Sequence, residues 1–241
     1  YFAPKMSYSS SDCPAEEFKD MVKKLHQNGI EVIMQFYFPV DVKRAYILEV
    51  IKYWVFSCHV DGFHLLGVHI PTALLATEPM LGNTKLFYTD FSCDEIYDNS
   101  DIPAYKNLAV YNDDFMYAVR HFLKSDEGSL LPALGSLRKN PRQTGVINYV
   151  TNYSGFPLAD LVSYDRKHNE DNGEENRDGE NYNVSWNCGF EGRTRKKSVM
   201  ELRGRQMKNA MLLLLTSQGT PMIVSGDEFG FSHGGNNNPY C

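Results

Sequence analysis

Proton-moving side chains gather at the ends of two apolar runs in this chain. In Val60-Asp61-Gly62-Phe63-His64-Leu65-Leu66-Gly67 a carboxylate opens a strand-like run and an imidazole stands in its middle. In Lys85-Leu86-Phe87-Tyr88-Thr89-Asp90 a hydroxyl and a carboxylate close another. A convergent carboxylate pair could act as acid and nucleophile, and an imidazole as base. The spacing works against both. Asp61 precedes its strand, whereas parallel strands followed by helices deliver working groups at their C-terminal ends, so it reads as structural. Asp90 is one residue past Thr89, and neighbours along a strand face opposite ways. Leu66, at the C-terminal end of the first run, has no polar side-chain atom.

The elements that must position these residues follow from periodicity. Between Pro14 and Gln27, Phe18, Met21, Val22 and Leu25 recur at i, i+3, i+4 and i+7, with Pro14 in the first turn and Gly29 at the stop, which predicts a helix. The run Ile30 to Phe38 reads as a strand, and Ile47, Ile51, Trp54, Val55 and Cys58 as a second helix before the strand at Asp61. Further strands are expected at Thr84 to Thr89, Leu108 to Tyr111, Gly145 to Thr151 and Pro221 to Ser225. Asn112 to Lys124 puts Phe115, Val119, Phe122 and Leu123 on one helical face, and Ser198-Val199-Met200-Glu201 reads as a capping box opening a long helix. Such βα alternation predicts a parallel sheet covered by helices. The polar segment between Val162 and Lys197 reads as an ordered functional loop, because Tyr164, Tyr182 and Trp186 give it aromatic surface to pack.

Composition bounds the rest. With 241 residues, 42% hydrophobic and 22% charged, the chain fits one domain or most of one. A net charge of −6 gives no footprint for nucleic acid. The longest apolar run, Ala210 to Leu215, is too short to span a bilayer. Tyr1 opens no targeting segment, so the start is expected to be internal to a longer protein. Cys13, Cys58, Cys93, Cys188 and Cys241 are odd in number, with no CxxC pair, and read as reduced packing thiols. Glu174-x-Asn176-x-Asp178-Gly179 suggests a calcium loop, but Ser185 occupies the twelfth position where a bidentate Glu is needed. Asn152-Tyr153-Ser154 and Asn183-Val184-Ser185 fit a glycosylation pattern relevant only on secretion. No metal and no cofactor is expected.

Several long segments resemble a known family. Leu158-Ala159-Asp160-Leu161-Val162-Ser163-Tyr164, His168 to Asn181, Ser185-Trp186-Asn187-Cys188-Gly189, Gly226-Asp227-Glu228-Phe229-Gly230 and Gly234 to Cys241 are similar to segments of the isoamylase-type debranching enzymes of glycoside hydrolase family 13. Weaker similarity reaches Phe2-Ala3-Pro4 and Met6-Ser7-Tyr8. The resemblance implies a (β/α)8 TIM barrel of the α-amylase clan, incomplete here and covering strands three to eight over residues 1–241. A carbohydrate-binding N-terminal domain and a C-terminal β-sandwich would lie outside it.

Set against that family's pattern, the chemistry is missing. Gln35-Phe36-Tyr37-Phe38-Pro39-Val40 stands where the family has Asp-Val-Val-Tyr-Asn-His, which makes Gln35 and Val40 vestigial positions. His64 and Leu66 replace the Arg and the Asp nucleophile of Asp-Gly-Phe-Arg-Phe-Asp. Thr89 replaces the acid/base Glu, and Tyr153 and Ser154 replace the assisting His and Asp. Retaining glycosidases need two carboxylates roughly 5 Å apart; Leu66 cannot attack carbon, and a threonine hydroxyl is no general acid near neutral pH. The loop after the third barrel strand is also shorter than in the family. Tyr153, Asn169, Arg177 and Trp186 are the side chains expected to contact glucan.

The resemblance is closest to the non-catalytic plant isoamylase-two type. It implies a subunit that partners a catalytic isoamylase in plastids and acts on amylopectin structure. An active α-1,6-glucosidase using Asp90 with a loop carboxylate, and a stand-alone glucan-binding module, are the alternative readings.

Overall fold

A computed structural model describes residues 1–97 and 103–240. The chain divides into two compact units, Tyr1–Tyr111 with Pro141–Gly145, and Asn112–Asn140 with Val146–Cys241.

In the first unit α1 (Pro14–Gln27) has the predicted bounds, with proline in the first turn and Gly29 at φ +71° past its end. Then come β1 (Ile33–Tyr37), α2 (Arg44–Cys58), β2 (Gly62–Leu66), the short α3 (Thr72–Thr77), β3 (Lys85–Tyr88), the single turn α4 (Cys93–Ile96) and β4 (Leu108–Tyr111). The strands pair in parallel, each with the next in sequence. Alternation along β2 sends Phe63 and Leu65 into a core with Ile47, Val50, Ile51 and Trp54 of α2. Their neighbours Gly62, His64 and Leu66 face the other side. Gly62 has to be glycine: a Cβ there would lie 2.5 Å from the Lys85 carbonyl oxygen on β3.

The second unit contains α5 (Asp113–Leu123), α6 (Leu130–Leu137), most of β5 (Gly145–Asn148), the single turn α7 (Leu158–Leu161), the long α8 (Lys197–Thr216) and β6 (Thr220–Pro221). Phe115 and Val119 of α5, Leu158 and Leu161 of α7, and Ala210 and Leu214 of α8 share its core with Val150 and Phe156. β5 and β6 pair in parallel. Six strands among the described residues match the number that barrel strands three to eight require.

Four local expectations are corrected. The strand predicted over Pro221 to Ser225 shrinks to Thr220–Pro221, since proline has no N–H for the ladder; one further bond, Met222 N–H to the Asn148 carbonyl at 2.8 Å, ends it. The strand expected over Gly145 to Thr151 ends at Asn148. The capping box at Ser198 does not form: Lys196 occupies the cap with extended backbone and no side-chain cap bond, which places Ser198 inside the first turn. Cys13 is exposed, so it is no packing thiol, whereas Cys58 and Cys188 are buried and Cys93 half-buried. Cys241 lies outside the described residues.

Candidate functional site

In the first unit the register aligns Gln35 with His64, Tyr37 with Leu66, and His64 with Phe87, so these residues form rows across one sheet face. His64 Nδ1–H donates to Gln35 Oε1 at 2.8 Å, and the imidazole stacks on Tyr111 with centroids 4.0 Å apart and planes at 13°. His64 is buried, and that burial pushes its pKa down to about 4. The ring is therefore neutral near pH 7, where the family's arginine would supply a fixed positive charge. Leu66 ends the same face. Thr89 and Asp90 are exposed and follow β3 rather than belonging to it, and Val40 points to solvent.

Asp61 is structural. Its Oδ2 lies 2.7 Å from His26 Nε2 and accepts the Val32 N–H at 2.7 Å, tying α1 to the start of the sheet. Among the described residues of this face of the first unit, none is both acidic and placed at a strand end.

The second unit carries the positions after β5. Tyr153 and Ser154 are exposed, in a turn where the Ser154 N–H donates to Asn152 Oδ1 at 3.0 Å. The carboxylates nearby are consumed by the fold. Asp227 accepts the Thr151 hydroxyl and, at 2.7 Å, the Leu158 N–H; burial raises its pKa. Asp160 accepts Ser232 Oγ at 2.5 Å and the N–H groups of His233 and Gly235 at 2.8 and 3.2 Å. Neither role was visible from sequence, because the partners lie about seventy residues apart.

The polar segment is an ordered loop held by side-chain amides. Asn169, fully buried, donates to Asn237 Oδ1 at 2.9 Å and to the Asp178 carbonyl at 3.0 Å, and accepts the Asn237 N–H at 2.9 Å. Asn172 and Asn238 donate to Asp178 Oδ2 at 2.7 and 2.9 Å. Asn169 is thus a post inside the loop and cannot reach a glucan, a correction to the sequence expectation. Arg177 is exposed, pairing with Glu175 at 3.3 Å. Trp186 is half-buried in a small recess beside Arg120 and Leu161. Residue types alone also missed Tyr37 and Tyr111, aromatic neighbours of the vestigial positions; the period-two alternation from Gln35 to Tyr37 was the available signal.

No protein-family model matches the chain. It is 32% identical over 332 aligned positions to the chloroplastic isoamylase SU1 of Zea mays, covering all of this chain and 42% of that protein. The glycogen operon protein GlgX homolog of Haemophilus influenzae is 34% identical over 312 positions, covering all of this chain and 47% of that protein. The curated homologues of this chain are thus isoamylases and glycogen operon GlgX proteins. The chain spans less than half the length of these curated relatives. The isoamylase alignments also run well beyond 241 positions, so the plant relatives carry segments that this chain lacks. Among solved structures, the type I pullulanase of Bacillus subtilis complexed with maltose superposes with a TM-score of 0.68 at 19% identity, covering 99% of this chain and 40% of that one. That likeness establishes the barrel fold. No helix among the described residues is long and apolar enough to cross a membrane.

Proposed function

We propose that this chain is part of a non-catalytic isoamylase-type subunit that assembles with a catalytically competent isoamylase and shapes amylopectin in plastids. The observation that carries the reading is the sheet face on which Gln35 and the neutral His64 lie mid-strand and Leu66 ends β2, with no carboxylate among them. A glycosidase needs an acid and a nucleophile there, and Asp61, Asp160 and Asp227 are held in structural bonds. The chloroplastic names of the plant relatives support the plastid assignment. Tyr153, Arg177 and Trp186 remain the proposed glucan contacts, with an aromatic face available for stacking on a sugar ring.

The test is an assay of the purified full-length protein on amylopectin, alone and mixed with an active isoamylase, followed by size analysis of the mixture. The expected result is no release of linear chains by the protein alone and an earlier-eluting complex in the mixture. Release of linear chains by the protein alone, abolished by Asp90→Asn, would overturn the proposal and establish an α-1,6-glucosidase.

A further inference from the structure

The second unit has a solvent-open pocket of about 700 Å3 between the Ala159 to Tyr164 turn and the first turns of α8. Three arginines line it, Arg193, Arg195 and Arg203. Arg203 is only 8% exposed, and its guanidinium is held entirely by neutral carbonyls. It donates to those of Gly192 at 2.7 Å, Asn187 at 3.0 Å, Ser163 at 3.3 Å and also Phe190. Its Nε is buried without a hydrogen-bond partner among the described residues. A buried cation with no carboxylate and an orphaned donor is costly unless an anion completes it.

The surroundings have the same sign. The one acidic side chain in the lining, Asp160, is already saturated by Ser232, His233 and Gly235. Arg193-Thr194-Arg195-Lys196-Lys197 places four cations in five residues directly before and into the first turn of α8. No side chain caps that helix, and although the Val199 and Met200 N–H groups donate to the Lys196 carbonyl, the positive end of its dipole favours an anion nearby. Lys196 sits over the Phe190 ring and Lys197 pairs with Glu201 at 3.8 Å, so the positive charge of the pocket itself is that of Arg193, Arg195 and Arg203.

We propose that this pocket binds a phosphate monoester carried on a sugar, either free or within a glucan chain. Guanidinium groups match phosphate oxygens in paired hydrogen bonds. The Thr194 and Ser232 hydroxyls and the apolar wall of Met200 and Met207 leave room for a glycosyl group beyond the phosphate, in a volume typical of small-molecule sites.

Isothermal titration calorimetry of the full-length protein with glucose 6-phosphate, inorganic phosphate and glucose tests this. Glucose 6-phosphate is expected to bind and glucose to give no measurable heat. The exposed pair Arg193→Gln with Arg195→Gln should weaken glucose 6-phosphate at least about tenfold, the loss of a charge-assisted hydrogen bond, without moving the melting temperature. Arg193→Lys with Arg195→Lys should retain most of the affinity. Retention on chemically phosphorylated amylopectin above plain amylopectin, competed by glucose 6-phosphate, identifies the polymer-borne ester; binding of glucose 6-phosphate without such retention identifies the free sugar phosphate. Affinity for glucose 6-phosphate equal to that for glucose, or unchanged in the Gln pair, overturns the site. Equal affinity for inorganic phosphate overturns the sugar part of the assignment.

Discussion

His64 is a histidine that the fold keeps uncharged. Its pKa falls from 6.5 to about 4 because burial disfavours the imidazolium. Between those values the unfolded chain binds more protons than the folded one, so this residue's contribution to stability is present above pH 6.5 and lost as pH falls toward about 4. His64→Gln removes that titration. Urea midpoints measured between about pH 7 and about pH 4.5 should therefore fall less steeply in the variant than in the parent. The same neutrality limits repair of the site. Leu66→Asp, alone or with Thr89→Glu, is expected to leave chain release from amylopectin at background in a reducing-end assay. A neutral ring beside position 66 supplies no cation to hold the new carboxylate ionised and oriented.

At the scale of elements, β2 and the polar loop do the positioning. Gly62→Ala would drive a methyl group against the Lys85 carbonyl; overpacking of this kind costs about 1–3 kcal/mol, readable as a lower urea midpoint at unchanged slope. Asn169→Ala removes two hydrogen bonds that join the loop to Asn237 and one to the Asp178 carbonyl within the loop. Leaving the partners unsatisfied should destabilise by about 1–3 kcal/mol, and trypsin should cut faster at Lys167 and Arg177. Sequence periodicity placed α1 to the residue, since its Pro14 and Gly29 boundaries are local backbone preferences. It overextended the strands because an apolar residue after the last ladder bond looks the same in sequence as one before it. It also placed the cap of α8 at Ser198, where hydroxyl chemistry favours a cap; the extended backbone at Lys196 decided otherwise.

The described residues of the molecule form two cores, one built around Trp54 and one around Leu158, Ala210 and Leu214. The chain's two tryptophans, Trp54 and Trp186, fall one in each unit and make separate fluorescent reporters. Leu214→Ala opens a cavity in the second core, and the transition seen by Trp186 in a Trp54→Phe background should lose about 2–5 kcal/mol. The sequence by itself determined the βα alternation, the family resemblance and the absence of carboxylates at positions 35, 66 and 89, because side-chain identity and period are written along the chain. Only the tertiary structure decided what replaced the chemistry. The Gln35 to His64 bond, the stack on Tyr111, the capture of Asp160 and Asp227, the burial of Asn169 and the arginine pocket beside α8 all join residues distant in sequence. Such contacts depend on where packing brings side chains together, and no local pattern records that.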